Sequence, residues 1–174
     1  MPNTLIVYGA GGHAQSCKQV FDEFGPGPTI FLKPGQICRD QGDYFIAVGD
    51  NRTRWEIYES NRSAKYHAFL SRHAIGFPKV LGKGSIIMPG AIIREGVTIG
   101  DFVIINTAAV VEHGCVVESF AHIAPGAILL GDVHIGVGAF VGANATVRQG
   151  VKIGRWQFVK ANALVKEDLP DNSL

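Results

Sequence analysis

At 174 residues with 47% apolar content, the chain can bury a sizeable core, as one domain or as two small ones. A formal net charge of +1 excludes a nucleic-acid or acidic-membrane partner held by bulk electrostatics, and no apolar run approaches the length of a membrane span. Cys17, Cys38 and Cys115 have neither paired nor metal-like spacing, and no basic segment precedes the first apolar run, so the expectation is a cytoplasmic protein with structural thiols.

Thr4 to Tyr8 is an apolar run of β character that ends in Gly9-Ala10-Gly11-Gly12-His13-Ala14. Ala14 to Phe24 reads as a helix with apolar positions at Cys17, Val20, Phe21 and Phe24, closed by Pro26 and Pro28. Thr29 to Leu32 reads as a second strand and Tyr44 to Val48 as a third. Asp50 or Asn51 caps a second helix reaching about Ser60, and Lys65 to Leu70 reads as a fourth strand. Alternating strand and helix predict a small Rossmann-like parallel α/β unit over residues 1–72, half a dinucleotide-binding fold at most. Ser71 to Phe77 then leads into a second unit, residues 73–174.

Gly9-x-Gly11-x-x-Ala14 fits the dinucleotide fingerprint, whose glycines let a phosphate approach a helix N-terminus. The acid that would close the second strand and hold a ribose hydroxyl is replaced by Lys33-Pro34-Gly35, which argues against hydride chemistry. A phosphate or diphosphate cradle remains, as does a tight turn serving packing alone. His13 beside the loop either contacts a ligand or caps the helix.

From Leu81 every sixth residue is aliphatic: Leu81, Ile87, Ile93, Ile99, Ile105, Val111, Val117, Ile123, Leu129, Ile135, Val141, Val147, Ile153, Val159 and Val165, with nothing inserted or dropped. Four places after each comes a small or β-branched residue, with Gln157 the exception. A period of six fits neither a helix nor a hairpin sheet, but it fits a hexapeptide parallel β-helix whose three hexads make one triangular coil. Fifteen hexads give about five coils.

An apolar prism has no room inside for imidazole. His113, two places after Val111, therefore falls at a corner, whereas His122 and His134 precede inward residues and face outward. Nine residues separate His113 from His122, half of a coil, so the two cannot meet within one chain, although they can meet across a subunit interface. Solvated surface histidines are the plain alternative. The spacings do not suit a three-histidine zinc site, so no metal is expected.

These residues resemble a known family, the hexapeptide acyltransferases of bacterial glycan pathways that act on nucleotide-linked amino sugars or sialic acid, above all the UDP-4-amino-sugar N-acetyltransferase type. The likeness is carried by Tyr8-Gly9-Ala10-Gly11-Gly12-His13, by Ile46-Ala47-Val48-Gly49-Asp50-Asn51 with Arg54, and by Asn106-Thr107-Ala108-Ala109-Val110-Val111-Glu112-His113. His122-Ile123-Ala124-Pro125-Gly126-Ala127 and Gly131-Asp132-Val133-His134-Ile135-Gly136 continue it.

The resemblance implies a left-handed parallel β-helix, a homotrimer, and acetyl-CoA lying as co-substrate in the groove between neighbouring prisms. It implies that His113 is the general base toward a sugar amine and that Gly131 supplies a backbone donor to the thioester oxyanion. His122 is implied to contact acetyl-CoA, Asn106 to lie near the acceptor, and Ala143 and Ala161 to line the pantetheine groove. Gly11, Gly12, His13, Asn51 and Arg54 are implied on the acceptor-nucleotide side. The chain departs from the family at Lys33-Pro34, where acids often follow the second strand, and at Gly114, where an acid commonly follows the catalytic histidine. Glu112 is then the adjacent acid, while the tail Gly-x-Pro-Ala near the CoA adenine is lacking. Sugar N-acetylation is the leading expectation, with sugar O-acetylation and a non-catalytic sugar-nucleotide-binding scaffold as the alternatives.

Overall fold

The computed structural model describes residues 4–25, 27–33 and 42–172, so Pro26, Pro34, Gly35 and Cys38 lie outside the described residues. The N-terminal part comprises β1 (Leu5–Tyr8), α1 (Gly12–Glu23), β2 (Thr29–Leu32), β3 (Asp43–Ile46) and α2 (Asn51–Ser60). Its three strands form a parallel sheet in the order β2-β1-β3, with the apolar β1 run in the centre. α1 starts earlier than expected because extended Gly11 serves as its N-cap, which makes Gly12 and His13 the first helical residues. α2 begins where Asp50 caps it, the Asp50 carboxylate accepting from the Thr53 N–H at 2.8 Å.

The expected fourth strand divides. Tyr66 bridges Tyr44 at the edge of the small sheet, whereas β4 (Phe69–Leu70) pairs with β6 (Ile86–Ile87). Leu70 lies one coil before Ile87 and packs against the same core, so the chain enters the solenoid at Phe69 and not after Ser71.

β5 (Val80–Leu81) to β19 (Leu164–Val165) are all two-residue strands, and the second residue of each is one of the hexad aliphatics. Each strand from β5 to β16 pairs in parallel with the strand three later, eighteen residues on, which builds a solenoid of about five turns. Its three faces are named here by one strand of each: β10 (Val110–Val111), β11 (Val116–Val117) and β12 (His122–Ile123). The hexad aliphatics and their small partners fill one continuous core. Truncating one such buried aliphatic to alanine typically costs about 2–5 kcal/mol.

Corners stack because the repeat never slips. At the corner between the β11 and β12 faces, Phe102 and Phe120 have positive φ and stack with ring centroids 5.0 Å apart. On the next coil Gly138 takes that position, and a Cβ there would come within 2.3 Å of the Trp156 ring that covers it. α2 docks on this aromatic column, with Tyr58 4.6 Å from Phe102 and Trp55 6.4 Å from Trp156.

Arg54 of α2 is fully buried at this joint. Its guanidinium donates to the carbonyls of Phe102 (2.9 Å), Phe120 (2.7 Å) and Val48 (2.8 Å), and to Asn51 Oδ1 (2.8 Å). Asn51 in turn donates to the Gly138 and Ala139 carbonyls at 3.0 and 3.1 Å. Burial lowers the Arg54 pKa to about 9, so the group keeps its charge at neutral pH and is balanced by carbonyl dipoles. Replacing Arg54 with Met leaves several buried carbonyls without a donor, and should cost about 3 kcal/mol or more in a urea titration. A loss below about 1 kcal/mol would mean that the joint does not depend on this residue.

Candidate active site

Two clusters of polar residues occupy opposite edges of the β10 face. The first is at the corner toward the β11 face. His113 is exposed there, and its ring lies directly over Gly131 of the next coil, where a Cβ would be 2.6 Å from both Cε1 and Nε2. Only glycine admits the ring in that position. The Gly131 N–H donates to no group among the described residues. The Asp132 N–H donates to the His113 carbonyl at 2.9 Å, and Asp132 Oδ1 lies 4.0 Å from His113 Nδ1. Glu112 is directed the other way, with its carboxylate 3.9 Å from Arg94 of the preceding coil. Cys115 points into the prism, where its thiol donates to the Leu130 carbonyl and burial pushes its pKa up to about 11.

The second cluster begins on the β12 face and extends to its corner with the β10 face. His122 faces out of the prism, but the N-terminal unit covers it, leaving it 7% exposed. Its Nδ1 lies 3.0 Å from the Gly49 carbonyl, which can only accept, so Nδ1 carries the proton. Nε2 then accepts from Asn106 Nδ2 at 3.0 Å, while Asn106 Oδ1 accepts from the Thr107 N–H at 2.8 Å. Burial, and secondly the Arg54 charge, lower the His122 pKa to about 3. His122 is a neutral strut between the Gly49 loop and Asn106.

His13 stands beside it, with ring centroids 6.2 Å apart. Burial and then Arg54 pull the His13 pKa down to about 4, while burial pushes the neighbouring Cys17 thiol up to about 12. Cys17 Sγ, which therefore keeps its proton, lies 3.4 Å from His13 Nε2. As the second residue of α1, His13 is not its cap. Gly9 is required by packing, since it has φ +127° and a Cβ there would be 2.5 Å from the Ala47 carbonyl. Gly11 and Gly12 differ: a Cβ on either meets nothing within 4 Å, so both face open space at the start of α1. Asn51 and Arg54 lie behind this loop, with all of their named bonds directed to carbonyls and to each other; Arg54 also reaches the Gly49 carbonyl at 3.3 Å.

Ala143 and Ala161 stack one coil apart at the corner that Asn106 also occupies, joined by the bond from the Asn162 N–H to the Ala143 carbonyl at 2.8 Å. Within one chain, His113 and Gly131 are thus separated from Asn106, His122, Ala143 and Ala161 by the width of the β10 face. Among the described residues no group of His, Cys, Asp and Glu is arranged to hold a metal ion, and no helix is long and apolar enough to cross a membrane.

No protein-family model matches the chain. Solved structures do. The acetyltransferase domain of PglB from Neisseria gonorrhoeae FA1090, in complex with acetyl coenzyme A, is 30% identical, with TM-score 0.88 over 98% of this chain and 94% of that one. A histidine-to-alanine variant of the GDP-perosamine N-acetyltransferase of Caulobacter crescentus, in complex with CoA and GDP-perosamine, is 31% identical, with TM-score 0.90 over 97% of this chain and 90% of that one. The chain belongs to the hexapeptide-repeat sugar N-acetyltransferases. WeeI from Acinetobacter baumannii AYE, 22% identical with TM-score 0.82 over 97% of this chain and 94% of that one, shares the fold.

Reading the acetyltransferase sequence residue by residue missed three neighbours of the expected site. Asp132 is eighteen residues after Gly114, so it is found by reading down a corner column and not along the chain. The Gly49 carbonyl that fixes the His122 tautomer, and Cys17 beside His13, leave no such signal. Both buried histidines are neutral when folded, so the unfolded chain binds more protons below its histidine pKa of 6.5. Stability is fully present above about pH 6.5 and is lost as pH falls toward 4 and 3, by on the order of 1–2 kcal/mol per histidine at pH 5. His122→Asn should flatten the dependence of the urea midpoint on pH between 7 and 5. An unchanged slope would show that His122 is not held neutral.

Proposed function

We propose that this acetyltransferase moves the acetyl group of acetyl-CoA directly to the amino group of a nucleotide-linked amino sugar, with His113 as general base. The observation that carries this reading is the imidazole of His113 lying over Gly131, whose N–H donates to no group among the described residues, so that a base and a candidate oxyanion donor share one corner. The likeness to proteins solved with acetyl-CoA, and with CoA and GDP-perosamine, supports the substrate pair.

The sugar nitrogen attacks the thioester carbonyl carbon while His113 Nε2 accepts a proton from it. The carbonyl oxygen becomes an oxyanion and takes the Gly131 N–H. The C–S bond then breaks and CoA leaves, protonated by the imidazolium, so no acyl-enzyme forms. Gly11, Gly12 and the first free N–H groups of α1 offer a cradle for the diphosphate of the acceptor, and His13 presents a neutral imidazole beside it. Asn51 and Arg54 serve the acceptor side by holding the Gly49 loop. Ala143 and Ala161 leave the corner beside Asn106 shallow enough for a pantetheine arm.

Because the two clusters flank the β10 face, one chain alone does not join them. The outward residues of that face, Ile92, Val110, Ile128, Thr146 and Leu164, are largely apolar and at least partly accessible, which suits packing of prisms side by side. We read the assembly as a homotrimer of left-handed β-helices, each carrying a Rossmann-like N-terminal unit and acting in the cytoplasm on its acetyl-CoA pool. Each site would take His113 from one subunit and the second cluster from its neighbour.

Thiol release from acetyl-CoA, measured against UDP-, dTDP- and GDP-linked 4-amino sugars and against sialic acid, tests the reaction. Turnover with an amino sugar is expected; turnover with sialic acid alone would mean O-acetylation, and silence without CoA binding would leave only a scaffold. His113→Ala should lower the rate about a hundredfold or more with acetyl-CoA binding retained. Light scattering should give the mass of three protomers, and an active monomer would remove the shared site.

A further inference from the structure

We propose that Asp132 is the positioning residue of His113, reaching it from the next coil and fixing its ring with the proton on Nδ1. The inference deepens the proposed acetyl transfer and rests on it. A base that takes a proton at Nε2 must hold its own proton at Nδ1, and that requires an acceptor facing Nδ1. Asp132 Oδ1 is 4.0 Å from Nδ1, and no other carboxylate of the described residues lies within ion-pair distance of His113. The other charged groups around this corner are Arg94 and Glu95 on the coil below, Glu112 on the same coil and Arg148 above; of these, Glu112 is paired with Arg94.

The corner itself is built around this contact. Its left-handed position is occupied in successive coils by Gly96, Gly114, Asp132 and Gly150, with φ of +79°, +68°, +60° and +73°. At this corner a side chain thus stands in the left-handed conformation only on the coil that follows His113. Gly114 makes room for it, since a Cβ at Gly114 would be 2.1 Å from Asp132 Oδ1. The carboxylate fills the space that a side chain at position 114 would take. The Asp132 N–H bond to the His113 carbonyl, at 2.9 Å, locks the two coils in register. Catalytic hydrogen bonds are often long in a free enzyme and tighten in the complex, and a neighbouring prism that covered this edge would strengthen the pair by excluding water.

Asp132→Gly removes the carboxylate and keeps the backbone conformation without strain. The wild-type protein labelled with ¹⁵N-histidine should show His113 mainly as the Nδ1–H tautomer at pH 8. Asp132→Gly should lose that preference and lower kcat about tenfold or more, with KM for acetyl-CoA and acceptor nearly unchanged. The swap Asp132→Gly with Gly114→Asp puts a carboxylate back at this corner and should restore both the tautomer and kcat. An unaltered tautomer in Asp132→Gly would overturn the proposal, as would a lost kcat that the swap does not recover while the tautomer stays in place. The tautomer is read in the free protein, so a wild type that acetylates nothing would sink the proposed reaction and leave the Asp132 pairing to be decided by the spectra.

Discussion

The eighteen-residue register of the solenoid is the constraint on which everything else depends. No hexad gains or loses a residue between Leu81 and Val165, so each side chain stands directly over the one eighteen places earlier. Parallel ladder bonds hold that register, and the buried aliphatic core gives it most of its stability. A single insertion would turn an inward position outward for the rest of the chain. Chemistry in such a fold is arranged by columns. His113 over Gly131, Phe102 over Phe120, and Ala143 under Ala161 are pairs made by the register alone.

The N-terminal unit is fastened to this prism through polar groups that have no alternative partner. Arg54 and Asn51 satisfy corner carbonyls that would otherwise be buried without a donor, and His122 links Gly49 to Asn106. Burial keeps His122 and His13 neutral, which suits both of them to directional hydrogen bonding and neither to carrying charge. The joint thus sets the distance between the glycine-rich loop and the coil corner beside it. Residues that resemblance assigns to the acceptor can serve it through this framework without touching it.

The division of polar groups between two edges of one face has a simple cause. Three corners of a triangular coil lie a strand apart, and an apolar interior forbids a site inside the prism. A reaction that needs a base, an oxyanion donor, a thioester channel and an acceptor cradle must therefore be shared between prisms or between prism and cap. The apolar outer surface of the β10 face, with one cluster at each border, fits the first arrangement.

The sequence by itself determined the solenoid, the inward residues, the outward direction of His122 and the corner location of His113, because a strict period is local information that needs no partner to be read. It also determined the three small strands, a helix cap at Asp50 or Asn51, and the glycine loop. Tertiary structure alone decided the rest. That β4 leaves the small sheet for the solenoid follows from Leu70 fitting a column whose other members lie eighteen residues away. Glu112 was adjacent to His113 in sequence yet turns to Arg94, while Asp132, nineteen residues from His113, stands beside it. His122 faces outward as its register requires, but only the docking of the N-terminal unit makes it buried, neutral and proton-bearing at Nδ1. Burial and tautomer are set by what covers a side chain, and the cover comes from a part of the chain more than seventy residues away.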